Sequence, residues 1–185
     1  MNILFIDMDG VAADFDKKIV DIFGKPFERK ASEEKVNFWH YTFTPEFFEE
    51  LEPAPDLNEC IDELWDIYKG NVRFLTALPL HRKDLAYQCA ESKMKWVRQH
   101  VRKPVPVTFG PFAIDKQHHC LGSHCHLLDD NKKNITQWID RGGIAFYQDS
   151  IDNLKEMVKD IKYHLNSSKK NSGKLIQCGT EVYCK

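Results

Sequence analysis

No stretch of this 185-residue chain approaches the run of about 20 apolar residues that a bilayer-spanning helix needs. The N-terminus also lacks a charged region leading into an apolar core and a small-residue cleavage site, so no export signal is expected. Neither sign of charge dominates. Twenty-six Lys and Arg stand against 28 Asp and Glu, mixed along the chain for a net charge of -2. That balance argues against the basic face that a nucleic-acid polymer or an anionic membrane would require. The six cysteines, Cys60, Cys89, Cys120, Cys125, Cys178 and Cys184, form no dense pattern. Reduced thiols in a cytoplasmic protein are therefore expected, rather than a disulfide framework. Internal repeats are absent too. The length suits one domain with a sizeable core and room for a small insertion.

What is present begins at once. Asn2 to Ile6 is almost wholly apolar, as a strand buried on both faces of a parallel sheet would be. It stops at Asp7-Met8-Asp9-Gly10-Val11. Ligands of open α/β sheets sit at the carboxyl ends of strands, and alternation would put Asp7 and Asp9 on the same side. Two such carboxylates repel unless a cation or a shared proton separates them, and Mg²⁺ suits an all-oxygen set. Asp-Gly is also an ordinary turn pair, and Gly10 frees the chain to turn.

Downstream, strands and helices alternate. A short helix is expected over 16–23, stopping at Gly24-Lys25-Pro26, followed by an aromatic-rich polar stretch with Phe38, Trp39 and Tyr41. Thr44-Pro45-Glu46 reads as a helix start, and a further helix starts near Asp56 or Asn58. Strands are expected at Val72 to Thr76, Val105 to Phe109, the segment ending His126-Leu127-Leu128-Asp129-Asp130, and Ile144 to Tyr147. A helix over about 84–101 and an amphipathic one with Ile151, Leu154, Val158, Ile161 and Leu165 complete the pattern. The separation of the first two strands exceeds what a crossover helix needs, so residues 15–70 read as a small helical cap. The expected core is then 1–14 with 71–165, and 166–185 a tail outside it.

Two segments allow more than one meaning. Asp129-Asp130 before Asn131 suits a helix cap as well as a metal site. His81-Arg82-Lys83 suits a solvated charge run as well as an anion contact. Four histidines and two cysteines crowd residues 117–126, but their spacing fits no zinc knuckle and no second cluster completes one.

The nine residues Asp7-Met8-Asp9-Gly10-Val11-Ala12-Ala13-Asp14-Phe15 resemble the first motif of the haloacid dehalogenase superfamily, in the DMDGVxADF form of the 5'(3')-deoxyribonucleotidases. Phe47-Phe48-Glu49-Glu50-Leu51-Glu52-Pro53-Ala54-Pro55 is similar to that family's FFxxLEPxP passage. Thr76, Lys116 and Leu127-Leu128-Asp129-Asp130 resemble the second, third and fourth motifs, in order. The resemblance implies an α/β, Rossmann-like three-layer core with a parallel central sheet and a small helical cap after the first strand. It implies Asp7 as the nucleophile that becomes an aspartyl-phosphate, and Asp9 as the general acid and base. Thr76, the Ala77 N–H and Lys116 would hold phosphate. The cofactor would be Mg²⁺, bound by Asp7, the Asp9 backbone carbonyl and Asp130, with Asp129 in an outer place. Ala77-Leu78-Pro79 departs from the family's usual Ser-Pro, which removes a second hydroxyl contact. Phe15, Phe38, Trp39 and Tyr41 are candidate pocket walls for a base. The implied reaction is hydrolysis of a nucleoside monophosphate, with a pyrimidine deoxynucleotide as the expected substrate. Another small phosphorylated metabolite, or nucleotide binding without catalysis, are the alternatives. The expected partner is this small-molecule substrate, with a homodimer left open.

Overall fold

The computed structural model describes residues 1–24, 44–79, 82–170 and 182–183. Five strands run parallel: β1 (Ile3–Ile6), β2 (Val72–Thr76), β3 (Val107–Phe109), β4 (Cys125–Asp129) and β5 (Ile144–Tyr147). A two-residue strand, β6 (Val182–Tyr183), adds antiparallel to β5, giving the order β3-β2-β1-β4-β5-β6. The helices are α1 (Phe15–Phe23), α2 (Pro45–Glu49), α3 (Leu57–Ile67), α4 (Ala86–His100), α5 (Lys132–Asp140) and α6 (Leu154–Lys170). The result is a Rossmann-like α/β fold, with β1 in the middle.

Both faces of the sheet are covered, which explains why its strands read as continuous apolar runs rather than alternating ones. Leu4, Ile6, Phe74, Leu128 and Phe146 share one buried cluster with Ile61 and Leu64 of α3 and Val158 and Ile161 of α6. Their neighbours Phe5, Leu75, Leu127 and Ala145 share the other with Ile135, Trp138 and Ile139 of α5. Trp138 anchors that second face, its ring 5.4 Å from Phe5 and its indole N–H donating to the Cys125 carbonyl at 3.1 Å.

Local chemistry sets the helix ends. The Asp14 side chain accepts from Lys17 N, Thr44 Oγ1 from Phe47 N and Asn131 Oδ1 from Lys133 N. Each satisfies an N-terminal amide that has no partner within its own helix. Between β1 and β2, Phe47, Phe48, Leu51, Leu57 and Leu64 belong to the same apolar cluster as the sheet.

The strands β2 and β5 have the bounds their sequences predict. β3 begins at Val107 rather than Val105, because Pro106 has no N–H to give to a ladder. Two features extend beyond expectation: α6 continues past Leu165 to Lys170, and residues 182–183 return to the sheet beside β5. Among the described residues, no helix is long and apolar enough to cross a membrane.

Candidate active site

β1 and β4 lie side by side, with Ile6 opposite Leu128. Asp7 N prolongs the ladder by donating to the Leu128 carbonyl at 2.9 Å. Both strands therefore run out at one edge, delivering Asp7 from β1 and Asp129, then Asp130, from β4. Asp7, Asp129 and Asp130 each offer a carboxylate oxygen, all within 4.8 Å of one another. Past Asp7 the chain folds tightly, with Met8 O accepting from the amides of Val11, Ala12 and Ala13. Gly10 is required there twice over. Its φ is +83°, and a Cβ would lie 2.5 Å from Asp130 Oδ2.

One ammonium is driven into this group. Lys116, buried in the 3₁₀ turn Ala113–His119 between β3 and β4, reaches Asp7 Oδ2 at 2.6 Å and Asp129 Oδ2 at 2.9 Å. A Cβ on Gly110 would sit 2.9 Å from Lys116 N, so the glycine lets the two backbones approach this closely. Asp129 is further engaged by Asn131 N at 2.8 Å and by Asn134 Nδ2 at 3.1 and 3.0 Å. With its oxygens so committed, Asp129 orients Lys116 as much as it offers a ligand atom.

A second, parallel arrangement lies beside it. Lys93, fully buried on α4, donates to both oxygens of Asp9, at 2.8 and 2.6 Å, and to Thr76 Oγ1 at 3.0 Å. Its ammonium also lies 4.3 Å from the centre of the Phe48 ring, a favourable cation–π distance. Asp7 and Asp9 are thus each paired with a different lysine.

Electrostatics separate the pairs from the trio. Burial pushes the Asp7 carboxyl well above its ordinary range; Lys116 pulls it back, while Asp129, Asp130 and Asp9 add to the rise. Burial alone would lower Lys116, but Asp129 and Asp7 outweigh it and hold the ammonium charged. Three carboxyl groups gathered around one ammonium offer hard oxygen donors, a set that suits a small divalent cation such as Mg²⁺.

The residues expected to act therefore meet: Asp7, Asp9, Thr76, Lys116, Asp129 and Asp130 gather at the ends of β1, β2 and β4, with Ala77 directly after Thr76. The Asp9 carboxylate is turned to Lys93 and is outside the Asp7–Asp129–Asp130 group. Phe15 is half-buried, its ring 5.5 Å from Phe47, which in turn packs on Phe48 at 5.3 Å. Phe38, Trp39 and Tyr41 lie outside the described residues, as does His81. Arg82 is spent on Asp84, at 2.9 Å.

The histidine- and cysteine-rich segment forms no metal group among the described residues, where the one such cluster is the aspartate trio. Cys120 and Cys125 are buried free thiols, Cys120 Sγ lying 3.6 Å from the Trp138 carbonyl. His126 shares a 2.7 Å hydrogen bond with the Tyr68 hydroxyl.

Lys93 was not among the residues the sequence pointed to. One signal was available. Cys89, Lys93, Trp96 and Val97 are spaced as one helical face, and all four are buried. A lysine on an apolar stripe calls for a buried partner.

A family model described as "5' nucleotidase, deoxy (Pyrimidine), cytosolic type C protein" matches residues 1–159. No curated protein matches the chain. Among solved structures, a dehalogenase is similar at 13% identity and a TM-score of 0.49, over 80% of this chain and 84% of its own. A phosphonoacetaldehyde hydrolase-like protein from Oleispira antarctica is similar at 12% identity and a TM-score of 0.45, over 90% of this chain and 85% of its own.

Proposed function

We propose, from the premise that the chain belongs to this 5'-nucleotidase family and is a phosphoric monoester hydrolase, that it removes phosphate from pyrimidine deoxyribonucleoside monophosphates in the cytoplasm. The observation that carries the reading is the pairing of each acid at the end of β1 with a separate buried lysine, Asp7 with Lys116 and Asp9 with Lys93. A nucleophile and a proton carrier need to be held independently, because they change charge at different moments.

In this reading a carboxylate oxygen of Asp7 attacks phosphorus, and the bond from phosphorus to the ester oxygen breaks. The departing alkoxide takes a proton from the Asp9 carboxyl. Water then attacks the aspartyl-phosphate while Asp9, now a carboxylate, accepts its proton, releasing inorganic phosphate and restoring Asp7. Lys116, the Thr76 hydroxyl and the Ala77 N–H hold the phosphoryl oxygens as charge shifts among them. Mg²⁺, which the Asp7–Asp130 oxygens and the Asp9 carbonyl would hold with Asp129 behind them, supplies further neutralisation of that charge. The row Phe15–Phe47–Phe48 runs up to Lys93, and Phe15, at its outer end, is the described residue suited to meet a base. The family description names the deoxy and pyrimidine preference and the cytosolic type.

Phosphate release with Mg²⁺ from a panel of nucleoside monophosphates and sugar phosphates tests the reading. Release confined to pyrimidine deoxynucleotides supports it. Turnover of sugar phosphates alone would keep the chemistry and overturn the substrate, and no turnover at all would overturn both.

A further inference from the structure

We infer that Lys93 is a positioning residue for the leaving-group step, holding the Asp9 carboxylate where it serves the ester oxygen. The inference rests on the reaction proposed above and adds a residue to it. An ammonium has three N–H groups, and the described partners of Lys93 account for all three: Asp9 Oδ1, Asp9 Oδ2 and Thr76 Oγ1. A carboxylate gripped through both oxygens cannot rotate about its terminal bond without losing one contact. The grip also comes from beneath. The Lys93 side chain is 1% exposed and that of Asp9 26%, so the lysine supports Asp9 from the protein side and leaves its outer edge open to a substrate.

The third contact fixes Lys93 in turn. Thr76 is wholly buried at the end of β2, and its oxygen accepts from Lys93. The threonine proton is thereby directed away from the ammonium and remains available for donation. Phe48 of α2 closes the remaining side. Lys93 thus ties the end of β2, helix α2 and the turn after β1 to a single point, whereas Lys116 serves the Asp7 side alone. The two lysines divide the work: one beside the nucleophile, one beside the proton carrier.

That division predicts a leaving-group signature. An alkyl ester such as thymidine 5'-monophosphate departs as a poor leaving group and needs the proton from Asp9; p-nitrophenyl phosphate departs as a stable anion and needs it far less. kcat/KM, which reports on steps through the first departure, is measured for both esters in the wild-type chain, Lys93→Met and Lys93→Gln. Lys93→Met should lose about 10²-fold or more on the nucleotide, and about tenfold or less on the aryl ester. Lys93→Gln, with a neutral donor in the same place, should fall between. A residue that only fills space would lower both esters equally, and an unchanged ratio of the two would overturn the inference while leaving the nucleotidase intact. If Lys93→Met does not fold, the ratio is read from Lys93→Gln. Failure of both variants to fold where the wild type does would make Lys93 a structural tie and overturn the inference. A wild-type chain inert on both esters would overturn the parent reaction, and this inference with it.

Discussion

Strand β4 carries buried polar side chains near both of its ends, and they behave oppositely. At its carboxyl end Asp129 is wholly buried and accepts from Lys116, Asn131 N and Asn134. Near its start His126 is equally buried; its Nδ1 shares a hydrogen bond with the Tyr68 hydroxyl, while its Nε2 has no partner among the described residues. Burial, and then His164, push the His126 pKa down to about 4, so the imidazole is neutral where it sits. Burial lowers His164 as well, and the Phe146 ring lies alongside both. The contrast teaches what a buried charge requires. Asp129 is surrounded by an ammonium and amide donors that satisfy its oxygens, whereas His126 lacks such partners at Nε2 and gives up its charge to burial. One strand holds both solutions.

The comparison can be broken from either end. A large effect is expected at the sheet edge that the charged end of β4 shares with β1: Asp9→Asn keeps the shape but cannot carry the proton, and kcat should fall by about 10²- to 10⁴-fold in steady-state phosphate release. Next comes the packing that holds the strands level. Trp138→Ala should cost about 3–5 kcal/mol in denaturant unfolding, because Trp138 is wholly buried between Phe5 and the Cys125 carbonyl.

A metal test sharpens the charged end without using activity. Mg²⁺ at about a hundred times its Kd should stabilise the wild-type chain by about 2.7 kcal/mol in thermal unfolding, and Asp130→Asn should remove most of that gain. The smallest effect, taken per pH unit, belongs to the neutral end. The unfolded His126 binds its proton near the ordinary histidine value of 6.5, the folded one only near 4. Its contribution is therefore complete above that ordinary value and is lost as pH falls toward the folded one, by about 1.4 kcal/mol per pH unit. His126→Gln should flatten that part of a stability-against-pH curve, and an unchanged curve would mean that other groups govern the acid limb.

How far the sequence foretold this molecule depended on the range of each signal. β2 and β5 were legible to the residue, because each is a short, largely apolar run bounded by polar, glycine- or proline-containing segments. The first motif was legible because Asp7, Met8, Asp9 and Gly10 are adjacent in sequence and each is needed in one turn. Lys116 was legible only by its order among the motifs, since nothing in Ala113-Ile114-Asp115-Lys116 signals that the ammonium is buried. Lys93 was hidden by distance: its partners Thr76 and Asp9 lie 17 and 84 residues away along the chain. β6 was hidden by brevity, because two residues in an antiparallel edge pair carry no periodicity. The continuation of α6 to Lys170 ran through Asn, Ser and Lys, whose composition suggested a tail.

The central claim is that the end of β1 is the reaction centre, with Asp7 as its nucleophile. Phosphate release from thymidine 5'-monophosphate by Asp7→Asn, against wild type and with folding checked by circular dichroism, tests it most directly. The account predicts a loss of at least about 10⁴-fold in a folded protein. Turnover within about tenfold of wild type would contradict it.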